Sequence, residues 1–191
     1  MIKRRYFLGA ALAATALTAG FPAFAADDTV KVGVVLSLSG PFSIYGTQMQ
    51  NGIDLFMKQH GDEVAGKKIE LIIKDDGGIA PDRARRAVQD LLVRDHVDVL
   101  AGFTFTASAM ASAPLAEKTK TAMIVMNASS SHITDANPYM IRVGQTLPQI
   151  TEPAGRYAAE QGYENVYTLV ADITAGHDAE TAFIRGLTTN G

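Results

Sequence analysis

Val30-Lys31-Val32-Gly33-Val34-Val35-Leu36, followed at once by Ser37-Leu38-Ser39-Gly40-Pro41-Phe42-Ser43-Ile44-Tyr45-Gly46, decides the fold of this chain. The first run is β-branched and almost continuously apolar, the pattern of a strand buried on both faces. The second is small, hydroxylated and Gly-containing, the composition of a loop. A helix follows over Thr47 to His60, with Met49, Ile53 and Phe56 on one face. The theme then recurs. Ile69 to Lys74, Val97 to Ala101 and Ala122 to Met126 repeat the apolar run. Pro81, favoured at a first helical position, opens a helix with Ala84, Val88, Leu91 and Leu92 inward. Another helix begins near Ser108 with Ala111 and Leu115 inward and is bent by Pro114. Four strands joined by three crossover helices predict an α/β fold built on a doubly wound parallel sheet.

Towards the C-terminus, Tyr139 to Val143 reads as a short strand leading out of this unit. The theme restarts with a helix from Pro148 to Gln161 closed by Gly162, a strand Val166 to Ala171, and a helix from about His177 to Leu187. One strand between two helices does not make a sheet core. Residues 26–143 are therefore read as a first lobe and 144–191 as the incomplete start of a second, with a crossover near Val143 to Leu147. Towards the N-terminus, Lys3, Arg4 and Arg5 precede an apolar, Ala-rich run from Tyr6 to Ala19 and the small-x-small site Ala23-Phe24-Ala25. This is an export signal over residues 1–25, and its apolar run is too short to span a bilayer. Arg4-Arg5-Tyr6-Phe7-Leu8 fits both an ordinary Sec signal and the twin-arginine pattern.

The full sequence carries 17 Lys+Arg against 20 Asp+Glu, and removing Lys3, Arg4 and Arg5 leaves 14 against 20, a net charge of −6. That mild, mixed acidity gives no nucleic-acid groove and no basic membrane face. The absence of cysteine excludes disulfides, thiol redox chemistry and Cys-ligated metals. His60, His96, His132 and His177 share no ligand spacing, so no metal or other cofactor is expected.

In open parallel sheets, ligands bind where the carboxyl ends of the strands meet helix N-termini. Four loops qualify: Ser37 to Gly46, Asp75 to Gly78, Gly102 to Ser108 and Asn127 to Ser131. Three of them combine hydroxyls, glycine and aromatic or small residues with little charge. Such a mix suits a small ligand with an anionic head and an apolar body, the head held by hydroxyls and helix-start N–H groups. Duller roles compete. Thr106 and Ser108 are equally good helix caps, and Phe42, Phe103 and Phe105 equally good seals for the sheet end. Asp75-Asp76-Gly77-Gly78 reads as an exposed turn rather than a metal loop. Gly33, inside a strand and without a Gly-rich fingerprint, marks close packing.

Taken in order, Val32-Gly33-Val34, Leu38-Ser39-Gly40-Pro41, Tyr45-Gly46, Lys74-Asp75-Asp76, Pro81, Gly102 to Thr106, Ala113 to Glu117, Ala128-Ser129-Ser130, Arg142 to Gln145 and Asp172 to Gly176 resemble the Leu/Ile/Val-type periplasmic binding proteins, the solute receptors of ABC importers. The resemblance covers nearly all of the chain after the export signal. It implies two Rossmann-like lobes closing on a ligand like a clamshell. It implies that the ligand carboxylate is held by backbone N–H groups and hydroxyls at Thr104, Phe105 and Thr106 and at Ala128 and Ser130, with Tyr45 covering the ligand. Where the family often carries an aromatic wall on the second lobe, this chain has Ala175-Gly176, which implies a wider pocket. Lined by Phe42, Phe105 and Tyr45, that pocket suits an aromatic acid or a larger aliphatic amino acid. Family members run longer and return to complete the first lobe, so the 191 residues are expected to be part of a longer receptor and marginally stable alone.

The reading is thus a periplasmic, non-enzymatic receptor for a small carboxylate, with the membrane subunits of an ABC importer as partner. A ligand-sensing domain for signalling is a second possibility. An exported α/β hydrolase is a third, weakened by the lack of a Gly-x-Ser-x-Gly elbow.

Overall fold

The computed structural model describes residues 29–189, so the export segment, with Arg4-Arg5 and the Ala23-Phe24-Ala25 site, lies outside the described residues. In chain order the elements are β1 (Thr29–Leu36), α1 (Ser43–His60), β2 (Glu63–Val64), β3 (Lys67–Asp75), α2 (Pro81–Val93), β4 (Val99–Gly102), α3 (Thr106–Thr119), β5 (Ala122–Val125), a 3-10 turn (Ser131–Asp135), β6 (Met140–Arg142), α4 (Leu147–Glu160) and α5 (Thr174–Thr189). The strands make one sheet in the order β2-β3-β1-β4-β5-β6. All pairs are parallel except the short β2–β3 edge, a hairpin the sequence reading lacked. Tyr139 to Val143 does more than lead out of the lobe: its centre is the sixth strand, Ile124 pairing with Ile141. From β1 the chain steps to β3 on one side, then crosses to β4, β5 and β6 on the other. The carboxyl ends of β1 and β4 therefore part at a switch point, where ligands bind in open sheets.

Both faces of the sheet are covered, as the unbroken apolar strands require. On one face Val35, Leu100, Phe103, Met123 and Ile133 are fully buried in one cluster with Leu91 of α2 and Ala109, Ala113 and Ala116 of α3. On the other Val34 and Leu36 pack with Met49 and Ile53 of α1. Phe56, read on one face with Met49 and Ile53, is 56% exposed and stacks on His60, and the final turns of α1 bury no side chain fully. A Cβ at Gly33 would lie 3.0 Å from the Leu91 methyl carbons, so glycine sets how closely α2 approaches. In α3 the buried stripe is Ala109, Ala113 and Ala116, while Ala111 and Leu115 are half-buried.

Residues 144–189 are organised differently. Thr146 and Gln149 form a capping box that starts α4. Gly155 and Gly186 let α4 and α5 touch backbone to backbone, since a Cβ on Gly155 would sit 2.1 Å from the Phe183 carbonyl. Val166 to Ala171, expected as a strand, pairs with no neighbour among the described residues; Tyr167 is 94% and Leu169 100% exposed. An apolar, β-branched run predisposes to a strand, but a strand exists only when an adjacent backbone takes its N–H and C=O groups.

Candidate functional site

Three of the four predicted loops meet at the switch point, and the fourth, Asp75 to Gly78, braces them. It is not an exposed turn. Asp76 is fully buried, accepting from the Ser37 hydroxyl at 2.7 Å and from the Gly78 N–H at 3.0 Å. Asp75 accepts from the N–H groups of Leu38 (2.8 Å), Ser39 (3.2 Å) and Gly77 (2.8 Å), from the Ser39 hydroxyl (2.5 Å) and from Arg83 (3.1 Å). Burial alone would raise its pKa, but the Ser39 hydroxyl, the Gly77 and Leu38 N–H groups and the Arg83 charge together hold it below the usual 3.8. No group of carboxylates and imidazoles among the described residues has the makings of a metal site.

This bracing holds the loop that carries the aromatic cover. Phe42 and Tyr45 both meet Phe105 edge-on, at centroid separations of 5.1 and 6.2 Å. After β4 the backbone turns sharply: Phe103 is fully buried with φ of 65°, in the left-handed region that non-glycine residues avoid. It is held there because its N–H donates to the Val35 carbonyl at 2.8 Å and its own carbonyl accepts from Ala128 at 3.0 Å. The turn aims Thr104, Phe105 and Thr106 at the crevice and starts α3.

The result is a cavity of about 530 Å³ between the first lobe and residues 147–179. Tyr45, Thr104, Phe105, Thr106 and Ala128 line it from the first lobe, and Ala175 and Gly176 from the other side. Phe42 and Ser130 do not line it. Phe42 props Phe105, and the buried Ser130 hydroxyl lies 2.9 Å from that of Thr106. Ala128 lines the wall, but its N–H is committed to Phe103, so the helix-start donors at the cavity are the first turn of α5, Thr174 to Gly176, and the start of α3. That start has no side-chain cap and no acidic residue in its first turn, so its first N–H groups are open to an anion. Ile79, Asn127, Leu147, Val170, Ile173 and Thr174 also line the cavity without having been singled out from sequence. Of these six only Asn127 lies in one of the four predicted loops, and no local pattern marks the other five. Among the described residues that line it, only Tyr45 is ionisable.

A doubly wound sheet with a crevice at its switch point, faced by α4, α5 and the segment between them and lined by uncharged residues among those described, has the architecture of a small-ligand site. The chain belongs to the periplasmic binding protein family, whose profile matches residues 29–191. It is 38% identical over 164 residues to the Leu/Ile/Val-binding protein homolog 6 of Brucella abortus, covering 86% of this chain and 42% of that one. It is similar to the solute-binding protein of an ABC transporter from Rhodopseudomonas palustris BisB5, solved in complex with 3,4-dihydroxybenzoic acid (44% identity, TM-score 0.83, 86% of this chain and 45% of that one). The solute-binding protein from Rhodopseudomonas palustris HaA2, solved with p-hydroxybenzoic acid, is similar too (40% identity, TM-score 0.82, 85% and 44% covered). The chain thus spans under half the length of these relatives. The family is one of binding proteins, not enzymes, which removes the hydrolase reading.

Proposed function

We propose that this chain supplies the first ligand-binding lobe, and the beginning of the second, of a periplasmic receptor for a small aromatic carboxylate of the hydroxybenzoate type, which it delivers to the membrane subunits of an ABC importer. The observation that carries the reading is the chemistry of the cavity. One end offers the uncapped start of α3 and the Thr106 hydroxyl to an anion. The walls are Tyr45, Phe105, Ile79, Leu147, Val170 and Ile173, suited to a flat apolar body. Ala175 leaves room for a ring. Two relatives solved with hydroxybenzoates support the same choice. A branched-chain amino acid is the second reading, favoured by the name of the Brucella relative. Export with cleavage after Ala25 belongs to the proposal.

The test is calorimetric titration with 4-hydroxybenzoate, 3,4-dihydroxybenzoate, benzoate and leucine. The aromatic acids are expected to bind and leucine not to. Binding of leucine alone would replace this reading by the second.

A further inference from the structure

Ser130 stands at the N-cap of the 3-10 turn Ser131–Asp135, where a serine hydroxyl ordinarily accepts from the turn's own N–H groups. It makes no such bond. Its hydroxyl is 2.9 Å from that of Thr106, and its carbonyl accepts from Arg142 at 2.6 Å. The capping is done from the other lobe. Asp178 of α5 accepts from the Ser131 N–H at 2.7 Å and from the Ser131 hydroxyl at 2.8 Å. Among the described residues these are the only side-chain hydrogen bonds that join 29–143 to 144–189. On the other side of Ser130, the Leu147 N–H donates to the Ser129 carbonyl at 2.8 Å. The loop carrying Ser130 is therefore gripped on both flanks by the second lobe.

We infer that Asp178 is a positioning residue and interlobe latch: by capping the Ser131 turn in trans it frees the Ser130 hydroxyl for Thr106 and ties the geometry of the site to the closeness of the lobes. When the lobes part, Asp178 withdraws, the turn loses its cap, and Ser130 is the nearest hydroxyl to replace it. Turning to do so, it abandons Thr106. Closure and an ordered Thr106–Ser130 pair thus favour each other, and each biases the same two-state element. His177, next along α5, takes no part, since its Nε2 faces Asp172 at 2.8 Å.

The cysteine-free chain allows a direct test: spin labels on Arg86→Cys in α2 and Glu160→Cys in α4, read by pulsed dipolar spectroscopy without ligand. Asp178→Ala is expected to lengthen and broaden the interlobe distance, Ser131→Ala to do so less because one of the two bonds survives, and Asp178→Asn to restore most of the parent distribution. A second arm rests on the proposed function: Asp178→Ala should weaken 4-hydroxybenzoate about tenfold, roughly the loss of one charge-assisted hydrogen bond. An unchanged distance in a natively folded Asp178→Ala overturns the latch. Should that variant not fold, Ser131→Ala decides, a lengthened distance supporting the latch and an unchanged one overturning it. If the distances shift while neither parent nor variants bind the acid, the latch stands and the ligand reading falls.

Discussion

The two parts of this molecule carry the same kind of sequence and reach different ends. In residues 29–143 Val30 to Leu36 and Ala122 to Val125 become strands with neighbours on both sides. In residues 144–189, Val166 to Ala171 has the same apolar, β-branched character and becomes no strand among the described residues. Its order comes from helix on helix, through Gly155 and Gly186. Local pattern states a preference, and a partner backbone makes it structure. The cavity sits on the boundary, with one wall from the loops at the sheet's strand ends and the other from α5 and the unpaired segment before it.

The contrast is broken most directly in the core. Phe103→Ala removes a fully buried ring whose strained backbone shapes the loop after β4, and about 3–5 kcal/mol of stability should be lost. Leu169→Ala, at a fully exposed position, should change stability by less than about 0.5 kcal/mol. Urea unfolding measures both, and a comparable loss at Leu169 would mean that the segment is packed.

The next effect concerns binding. Thr106→Val keeps the volume and deletes the hydroxyl on the first-lobe wall, and should weaken an aromatic carboxylate by about 1.5–3 kcal/mol. Thr174→Val, on the opposite wall, should cost less. Calorimetry that ranked them the other way would move the anion to the second lobe.

Gly155→Ala tests the helix pair. The added methyl would sit 2.1 Å from the Phe183 carbonyl, so α4 and α5 must separate, at about 1–3 kcal/mol. Loss of helical circular dichroism at lower temperature, with first-lobe hydrogen exchange unchanged, is the expected signature. Slowly exchanging β1 and β4 amides that became fast would show the two parts to be one cooperative unit.

The smallest effect is pH-dependent. The folded Asp75 pKa lies below its unfolded value, so its contribution is present above the unfolded value and lost as pH falls through the folded one. Between about pH 5 and 2 the urea midpoint of the parent should therefore fall more steeply than that of Asp75→Asn. Parallel curves would detach the Asp75 network from stability.

Much of the first lobe was legible because its cause is local. Period, apolar continuity and the proline that opens α2 survive translation into structure. The site was partly legible for a related reason, since loops at strand ends must gather where the sheet order reverses, and Thr104 to Thr106 and Tyr45 are in such loops. Phe42 and Ser130 are in those loops too, yet the first props a ring and the second pairs with Thr106 without reaching the cavity. Nothing local separates lining from bracing.

What the sequence determined by itself was the alternation of elements, the switch-point loops and the low charge of three of them, because each follows from residues close together in the chain. Tertiary structure alone decided that Asp76 is buried against Ser37, that Val166 to Ala171 stays unpaired, and that Asp178 caps a turn 47 residues earlier. Those outcomes depend on which distant groups arrive to satisfy a hydrogen bond or cover a surface, and no local periodicity records that arrival.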